Sequence, residues 1–340
     1  MRIIKQLLVG TCLAALAALV HAQGAPEKRD VHIAVGGKAS LYYLPLTIAE
    51  QKGYFKDEGL NVKISDFAGG SQALQSVVGG SADVVSGAYE HTINMQSKKQ
   101  SLIAFVQMGR LPQVSVGISK AKAASYKSPR DLKGLKIGVS APGSSTHLLL
   151  NILLVKDGLK PTDVSIVGVG TGAGGVAAMK SGQIDAISNI DPMMTKLELE
   201  GDIKIIADWR TVKGTVATFG CELPAASLYA PTKYVNENPN TVQALTNAIV
   251  RADKWLAKAG ASDVIKTVPG AFLMGDGGVY LFAFEKVKEA FSPDGTISGV
   301  GAKATLAMLA AGNPAIKSNE IRLDETFTNE FVKKANAKYK

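Results

Sequence analysis

The chain has 340 residues, 46% of them apolar, and a formal net charge of +9. That length exceeds one typical compact domain, so two lobes are expected, and the apolar share is that of a chain with a packed core rather than of a disordered one. The basic residues are scattered in blocks no longer than two, as at Lys98-Lys99 and Lys333-Lys334, which argues against a nucleic-acid surface and for an anionic ligand or an acidic partner.

Residues 1–22 read as a secretory signal peptide that is not part of the fold. Arg2 and Lys5 form the basic start, 7–20 the apolar stretch, and Val20-His21-Ala22 the cleavage region. The apolar stretch is short for a span of ~20 residues. Gly10-Thr11 before Cys12 does not suit a lipoprotein signal. The mature chain then keeps one cysteine, Cys221, so no intrachain disulfide forms, and a lone cysteine reads as a small buried hydrophobe.

From residue 31 the pattern alternates β and α. Residues 31–35 (VHIAV) predict the first strand, and 36–44 a loop carrying Ser40, Tyr42 and Tyr43. Pro45 suits the first turn of a helix that closes near Gly53. Residues 60–64 predict a second strand, and Ala73, Leu74, Val77 and Val78 share one face of a following helix. Strands are expected from Asp83, over 102–107 and over 114–118, the last as a passage between lobes. Lys136 opens another strand, followed by Ala141-Pro142-Gly143-Ser144-Ser145-Thr146-His147 and a helix stopping at Gly158. Further strands are expected at 163–169, 203–207 and 226–230, the last as a second passage, and from Pro239 the chain is mostly helical.

One pattern is written twice. Gly69-Gly70-Ser71, a short apolar helix, Gly80 and Asp83 form the first copy; Gly174-Gly175, a similar helix, Gly182 and Asp185 form the second. The second cluster also satisfies G-x-G-x-x-G over 170–175. Its mid-chain place, its short helix and its match to the first copy favour the repeat over a dinucleotide turn. Asp83 and Asp185 enter strands at their amino ends and read as structural. Alternating strands and helices predict an α/β fold with mostly parallel sheets, whose ligands sit beyond the carboxyl ends of the strands.

Candidate binding residues follow from that rule. Ser144, Ser145, Thr146 and His147 open a helix after a strand, where free N–H groups and hydroxyls suit an anion, although Ser and Thr also serve as plain caps. Ser71 and Gln72 occupy the matching turn, with the same two readings. Tyr42 and Tyr43 offer one ring to the core and one to a cleft. Tyr89 and Glu90 follow the third strand, where Glu90 either meets a donor on the ligand or is solvated; Asn189 and Asp191 hold the equivalent place in the second half. The chain has four histidines and carries no H-E-x-x-H, C-x-x-C, G-x-S-x-G or Walker lysine, so hydrolase chemistry has little support and no metal or cofactor is expected.

Tyr43-Leu44-Pro45 leading to Ala49 and Gly53-Tyr54-Phe55, then Gly59-Leu60-Asn61-Val62, resembles the opening of periplasmic solute-binding proteins of the nitrate/sulfonate/taurine type. Asp131-Leu132-Lys133-Gly134, residues 143–147 and residues 182–186 continue that resemblance, which spans nearly all of 31–230 and extends to the thiamine-pyrimidine synthase group. The resemblance implies a two-lobe, type II-like periplasmic-binding-protein fold with two crossover strands. Lobe 1 would comprise 23–118 and 223–340, and lobe 2 would comprise 119–222. It implies a monomer in the periplasm, closing over a small organic anion for an ABC permease and its ATPase, with no catalysis. In sulfonate binders the anion lies among helix N-termini and hydroxyls, a role that falls by position to Ser71 and Ser144 through His147. A thiamine-type pyrimidine on tyrosine, Glu90 or Asp191 is the other ligand implied. The synthase itself carries a cysteine-rich motif that this chain lacks.

Overall fold

The computed structural model describes residues 24–340, and the expected signal peptide lies outside them. Ten strands form two five-stranded sheets of the same design. The first contains β1 (Asp30–Gly36), β2 (Asn61–Phe67), β3 (Val84–Ala88), β4 (Leu102–Gln107) and β10 (Ala226–Pro231), in the order β2-β1-β3-β10-β4. The second contains β5 (Val114–Ser119), β6 (Lys136–Val139), β7 (Ser165–Gly168), β8 (Ala186–Ile190) and β9 (Ile203–Asp208), in the order β7-β6-β8-β5-β9. β1 pairs parallel with β2 and β3, and β6 with β7 and β8. β10 and β5 each run antiparallel to both neighbours. β3 and β8 are buried at every position, as central strands covered on both faces must be.

Helices cover both sheets: α1 (Leu44–Gln51), α2 (Tyr54–Asp57), α3 (Gly70–Val78) and α4 (Glu90–Gln96) in the first lobe, then α5 (Lys120–Ala123), α6 (Ser145–Lys156), α7 (Ala173–Lys180), α8 (Met193–Leu199) and α9 (Val212–Phe219) in the second. The chain ends in α10 (Thr232–Glu237), α11 (Pro239–Lys258), α12 (Ala261–Thr267), α13 (Gly277–Val287), α14 (Gly299–Gly312) and α15 (Glu330–Lys338). α11 buries Val242, Leu245, Ile249 and Leu256 on one stripe and packs against α1 and α15. A separate small core of Val176, Met179, Ile184, Met193, Met194 and Leu197 holds α7 and α8 to the second sheet.

The repeated aspartates do the same job twice. Asp83 accepts from the His32 amide at 2.9 Å and Asp185 from the Lys136 amide at 2.9 Å. Each also donates its own amide back, to the carbonyls of His32 at 2.9 Å and Lys136 at 2.7 Å. The two carboxylates thus lock β3 onto β1 and β8 onto β6 at the amino ends, satisfying strand-end donors that would otherwise stand free. The turn of the first copy packs so tightly on the end of β1 that a Cβ on Gly36 would lie 2.2 Å from the carbonyl carbon of Gly69 and the nitrogen of Gly70.

The chain passes between the sheets at residues 108–113 and 209–225. The sequence division put 114–118 in lobe 1, but β5 pairs with β8 and β9 and belongs to the second sheet. The alternating pattern of that segment is what an antiparallel strand within a sheet requires, so the passage itself falls just before it. The two passages bond to each other. Met108 and Gly109 amides donate to the Ala226 carbonyl at 2.7 and 3.0 Å, and the Gln113 amide to that of Trp209 at 3.1 Å.

Candidate functional site

The carboxyl ends of β1, β2, β3, β6 and β8 point toward the boundary between the lobes, and turns that follow them meet there. Two turns touch directly. The Ser71 amide donates to Ser144 Oγ at 3.0 Å, Ser144 Oγ donates to Ser71 Oγ at 3.1 Å, and Ser71 Oγ donates to the Pro142 carbonyl at 2.9 Å. At the opposite edge the Leu41 amide donates to the Asp191 carbonyl at 2.9 Å. The lobes are therefore closed on each other.

Two adjoining chambers lie inside this closure, with cavity volumes of about 20 and 10 Å³; each has room for about one water, far below the ~300–1,000 Å³ usual for a ligand pocket, so a ligand enters only when the lobes part. Tyr42 and Ser145 line both. The first chamber is walled by Tyr43, Gly70, Ser140, Ser144 and Thr146. The second has apolar walls from Leu148, Leu149, Leu223 and Met308, with Glu90 as its one ionisable group besides tyrosine. Neither chamber is lined by a lysine or an arginine.

α6 supplies the donors. Ser144 stands at its N-cap in extended backbone, and its hydroxyl faces Ser71 rather than capping its own helix. Among the described residues no acceptor meets the Ser145 and Thr146 amides. The start of this 12-residue helix thus combines open N–H groups with the positive end of the helix dipole.

Glu90 supplies the acceptor. It opens α4, is 6% exposed, and its Oε1 has no hydrogen-bond partner. Burial pushes its carboxyl up to about 7, against the Ser145 hydroxyl and its own backbone, which favour the ionised form. Tyr42, Tyr43 and Tyr229 lie within range of its charge, and their own pKa values are raised, first by burial and then by the Glu90 charge in Tyr42 and Tyr43. Tyr42 and Tyr43 pack edge to face at 4.8 Å between centroids.

The remaining sequence candidates point elsewhere. The Tyr89 hydroxyl bonds Thr326 Oγ1 at 2.7 Å on the far side of the sheet. Gln72 is exposed, and its Oε1 accepts from the Ala68 amide at 3.2 Å, closing its own turn. Thr146 touches the first chamber, but its hydroxyl is spent on Ser140, 2.8 Å away. His147 folds back so that Nδ1 accepts from the Gly143 amide at 3.0 Å, and burial holds its pKa below the usual histidine value. Asn189 donates to the Gly170 carbonyl at 2.9 Å. Asp191 accepts from the Thr195 amide at 2.7 Å and pairs with the fully buried Arg210 at 3.4 Å. These six side chains hold turns and strand ends together.

Sequence reasoning passed over three contributors. His91, beside Glu90, bonds the Tyr229 hydroxyl through Nδ1 at 2.8 Å, and burial lowers its pKa to about 4, so it is neutral. Its ring lies 3.2 Å from where a Gly70 side chain would begin; its place one residue past Glu90 was the only signal. The passage residues Pro112, Leu223 and Pro224 and the α14 residues Thr305 and Met308 also line the second chamber. α14 packs against both α4 and α6, so a helix from the C-terminal run lies across both lobes. No sequence pattern marks that.

Two sheets of matched topology, joined by two bonded passages and closed over an internal chamber, define a two-lobe periplasmic-binding-protein fold. The chain belongs to the NMT1/THI5 like family, whose pattern matches residues 40–259. A solved structure from Bordetella bronchiseptica RB50 is 57% identical, with a TM-score of 0.92 over 93% of this chain and 99% of that one. The periplasmic nitrate-binding protein NrtA from Synechocystis PCC 6803 shares the fold at 15% identity, with a TM-score of 0.71 over 93% of this chain and 90% of its own. The alkanesulfonate-binding protein SsuA from Xanthomonas axonopodis pv. citri, bound to MOPS, does so at 20%, with a TM-score of 0.68 over 89% and 99%. YtlA of Bacillus subtilis (strain 168), provisionally named a binding protein, is 24% identical over 260 residues, 75% of each chain. The 4-amino-5-hydroxymethyl-2-methylpyrimidine phosphate synthase of Schizosaccharomyces pombe is 25% identical over 223 residues, 62% of this chain and 61% of that protein.

Proposed function

We propose that this protein is the substrate-binding component of an ABC importer, exported to the periplasm, that closes its lobes over a small organic ligand with an anionic end and presents it to a membrane permease. The observation that carries this reading is the start of α6, where the Ser145 and Thr146 amides stand open beside an interlobe chamber. Two N–H groups on a helix dipole offer an anion a ready site without a cationic side chain. The apolar lining of the second chamber would face a carbon body once the lobes part to admit one, which favours sulfonates or aromatic carboxylates over nitrate. No helix among the described residues is long and apolar enough to cross a membrane, which suits a partner that supplies the membrane path. Binding rather than catalysis is the reading because the solved structures that share the fold include a nitrate-binding and an alkanesulfonate-binding protein.

A thermal-shift screen of sulfonates, aromatic carboxylates and nitrate tests this. A ligand present at 100 times its Kd adds ~2.7 kcal/mol of stability. The double variant Ser144→Ala, Ser145→Ala should bind the best hit at least tenfold more weakly while melting within ~2 °C of the parent protein. Unchanged affinity in that variant would remove the two hydroxyls from the site, and unchanged affinity in Ser145→Pro, which deletes the first helical amide where proline is tolerated, would remove the α6 turn.

A further inference from the structure

We infer that a second ligand site lies outside the lobe boundary, in the cavity between α4, α6 and α14, and that it takes a small acid whose apolar body carries a hydroxyl, held with its acid at Lys98 and its hydroxyl at Asn151. This site is separate from the α6 turn and does not depend on the preceding reading of that turn.

The cavity measures about 340 Å³, within the ~300–1,000 Å³ usual for a ligand pocket. Its apolar lining is Leu148, Ile152, Leu309 and Ile316, the last three of them buried. Two polar groups there are unspent. Asn151, on α6, lines the cavity, and its buried Oδ1 meets no hydrogen-bond donor. A buried acceptor left unmet is costly, and a hydroxyl on a ligand satisfies it. Lys98, just past the end of α4, is exposed and is the one charged residue lining the cavity among the described residues. No carboxylate lines the cavity to answer it, so an acid on the ligand is its complement.

Position links this cavity to closure. The same three helices wall the second chamber and the cavity, each along one face. α4 turns Glu90 to the chamber and Asn94, one turn further on, to the cavity. α14 does the same with Met308 and Gly312. On α6, Leu148 lines both and is the wall between them. Residues four apart share a helix face, so the cavity lies about one turn, ~5.4 Å, along from the chamber. Lys98 belongs to the first lobe and Asn151 to the second. A molecule bonded to both binds the closed form better than the open one, and by linkage it favours whatever else the closed form holds.

The test is isothermal titration calorimetry at low salt with three probes: 4-hydroxyphenylacetate, 4-methylphenylacetate, which lacks the hydroxyl, and 4-hydroxyphenylacetamide, which lacks the acid. The hydroxy acid should bind about tenfold more tightly than the methyl acid and about fivefold more tightly than the amide. Asn151→Leu should bring the hydroxyl preference below about threefold. Lys98→Gln, a change at an exposed position that leaves the fold intact, should bring the acid preference below about twofold. The double variant Ser144→Ala, Ser145→Ala should hold the hydroxy acid as the parent protein does. In X-ray scattering the hydroxy acid should contract the parent protein and not Asn151→Leu. If the double variant loses the hydroxy acid, that acid sits at the α6 turn; the cavity site is then wrong and the reading of the turn stands. Failure of the hydroxy acid to bind, or preferences that survive Asn151→Leu and Lys98→Gln, also overturns the site. Binding without contraction overturns its link to closure.

Discussion

Glu90 makes a prediction about stability that needs no ligand. Its carboxyl rises from an ordinary 4.5 to about 7 because it is buried. Between those two values the folded protein holds a proton that the unfolded chain has lost. Stability must therefore fall as pH rises through that window and level off above it. At 1.36 kcal/mol per pKa unit, the charged form costs ~3 kcal/mol above about pH 7. Glu90→Gln removes the titration and keeps the shape. Its own amide hydrogens lack partners, an offset of roughly 1–3 kcal/mol that does not depend on pH. The decisive quantity is therefore the change in the difference between variant and parent, ~3 kcal/mol in favour of the variant from pH 4.5 to pH 8. For a chain of this size that is ~4–5 °C in Tm. Differential scanning fluorimetry across that range, without ligand, reads it directly. A difference that stays constant with pH would show that Glu90 is ionised and solvated, and the account of the second chamber would have to be abandoned.

Two further substitutions probe closure and the support of the site. Gly69→Ala places a methyl 2.8 Å from the Ala141 side chain and 2.9 Å from Ser144 Oγ across the lobe boundary. It should leave Tm within ~1–2 °C of the parent, weaken ligand binding about tenfold, and keep the solution radius of gyration large when ligand is added; a full contraction in X-ray scattering would contradict the closed contact. Arg210 is fully buried among Asp191 at 3.4 Å, Glu198 at 3.2 Å and Asp208 at 2.6 Å. Arg210→Ala should cost ~3–5 kcal/mol by urea titration, and a loss below 1 kcal/mol would show that the cluster is solvated when the lobes open.

The strands were legible because each is a short β-branched run, and the observed β4 and β6 have the limits the pattern implies. The repeat was legible for a similar reason: Asp83 and Asp185 act within one sheet, on the neighbouring strand's first amide. The site was legible only by region. Tyr89, Glu90 and His91 are consecutive at a strand exit, and near a helix start successive side chains leave about 100° apart. One therefore reaches Thr326, one the chamber and one Tyr229. Asp191 and Asn189 had the right address and the wrong direction, because Arg210 and the Gly170 carbonyl, distant in sequence, claim them.

The sequence by itself determined the two matched α/β units, the family resemblance, and the five strand exits at which a ligand could sit. These depend on local period and turn chemistry, which a chain carries wherever it folds. Only the tertiary structure decided that β5 joins the second sheet, that Ser71 and Ser144 meet across the lobes, that α14 lies over both, and that Glu90 alone of its neighbours turns an unmet oxygen into the chamber. Those outcomes depend on which side chains from distant segments arrive at the same place, and on which polar atoms are left without a partner when they do.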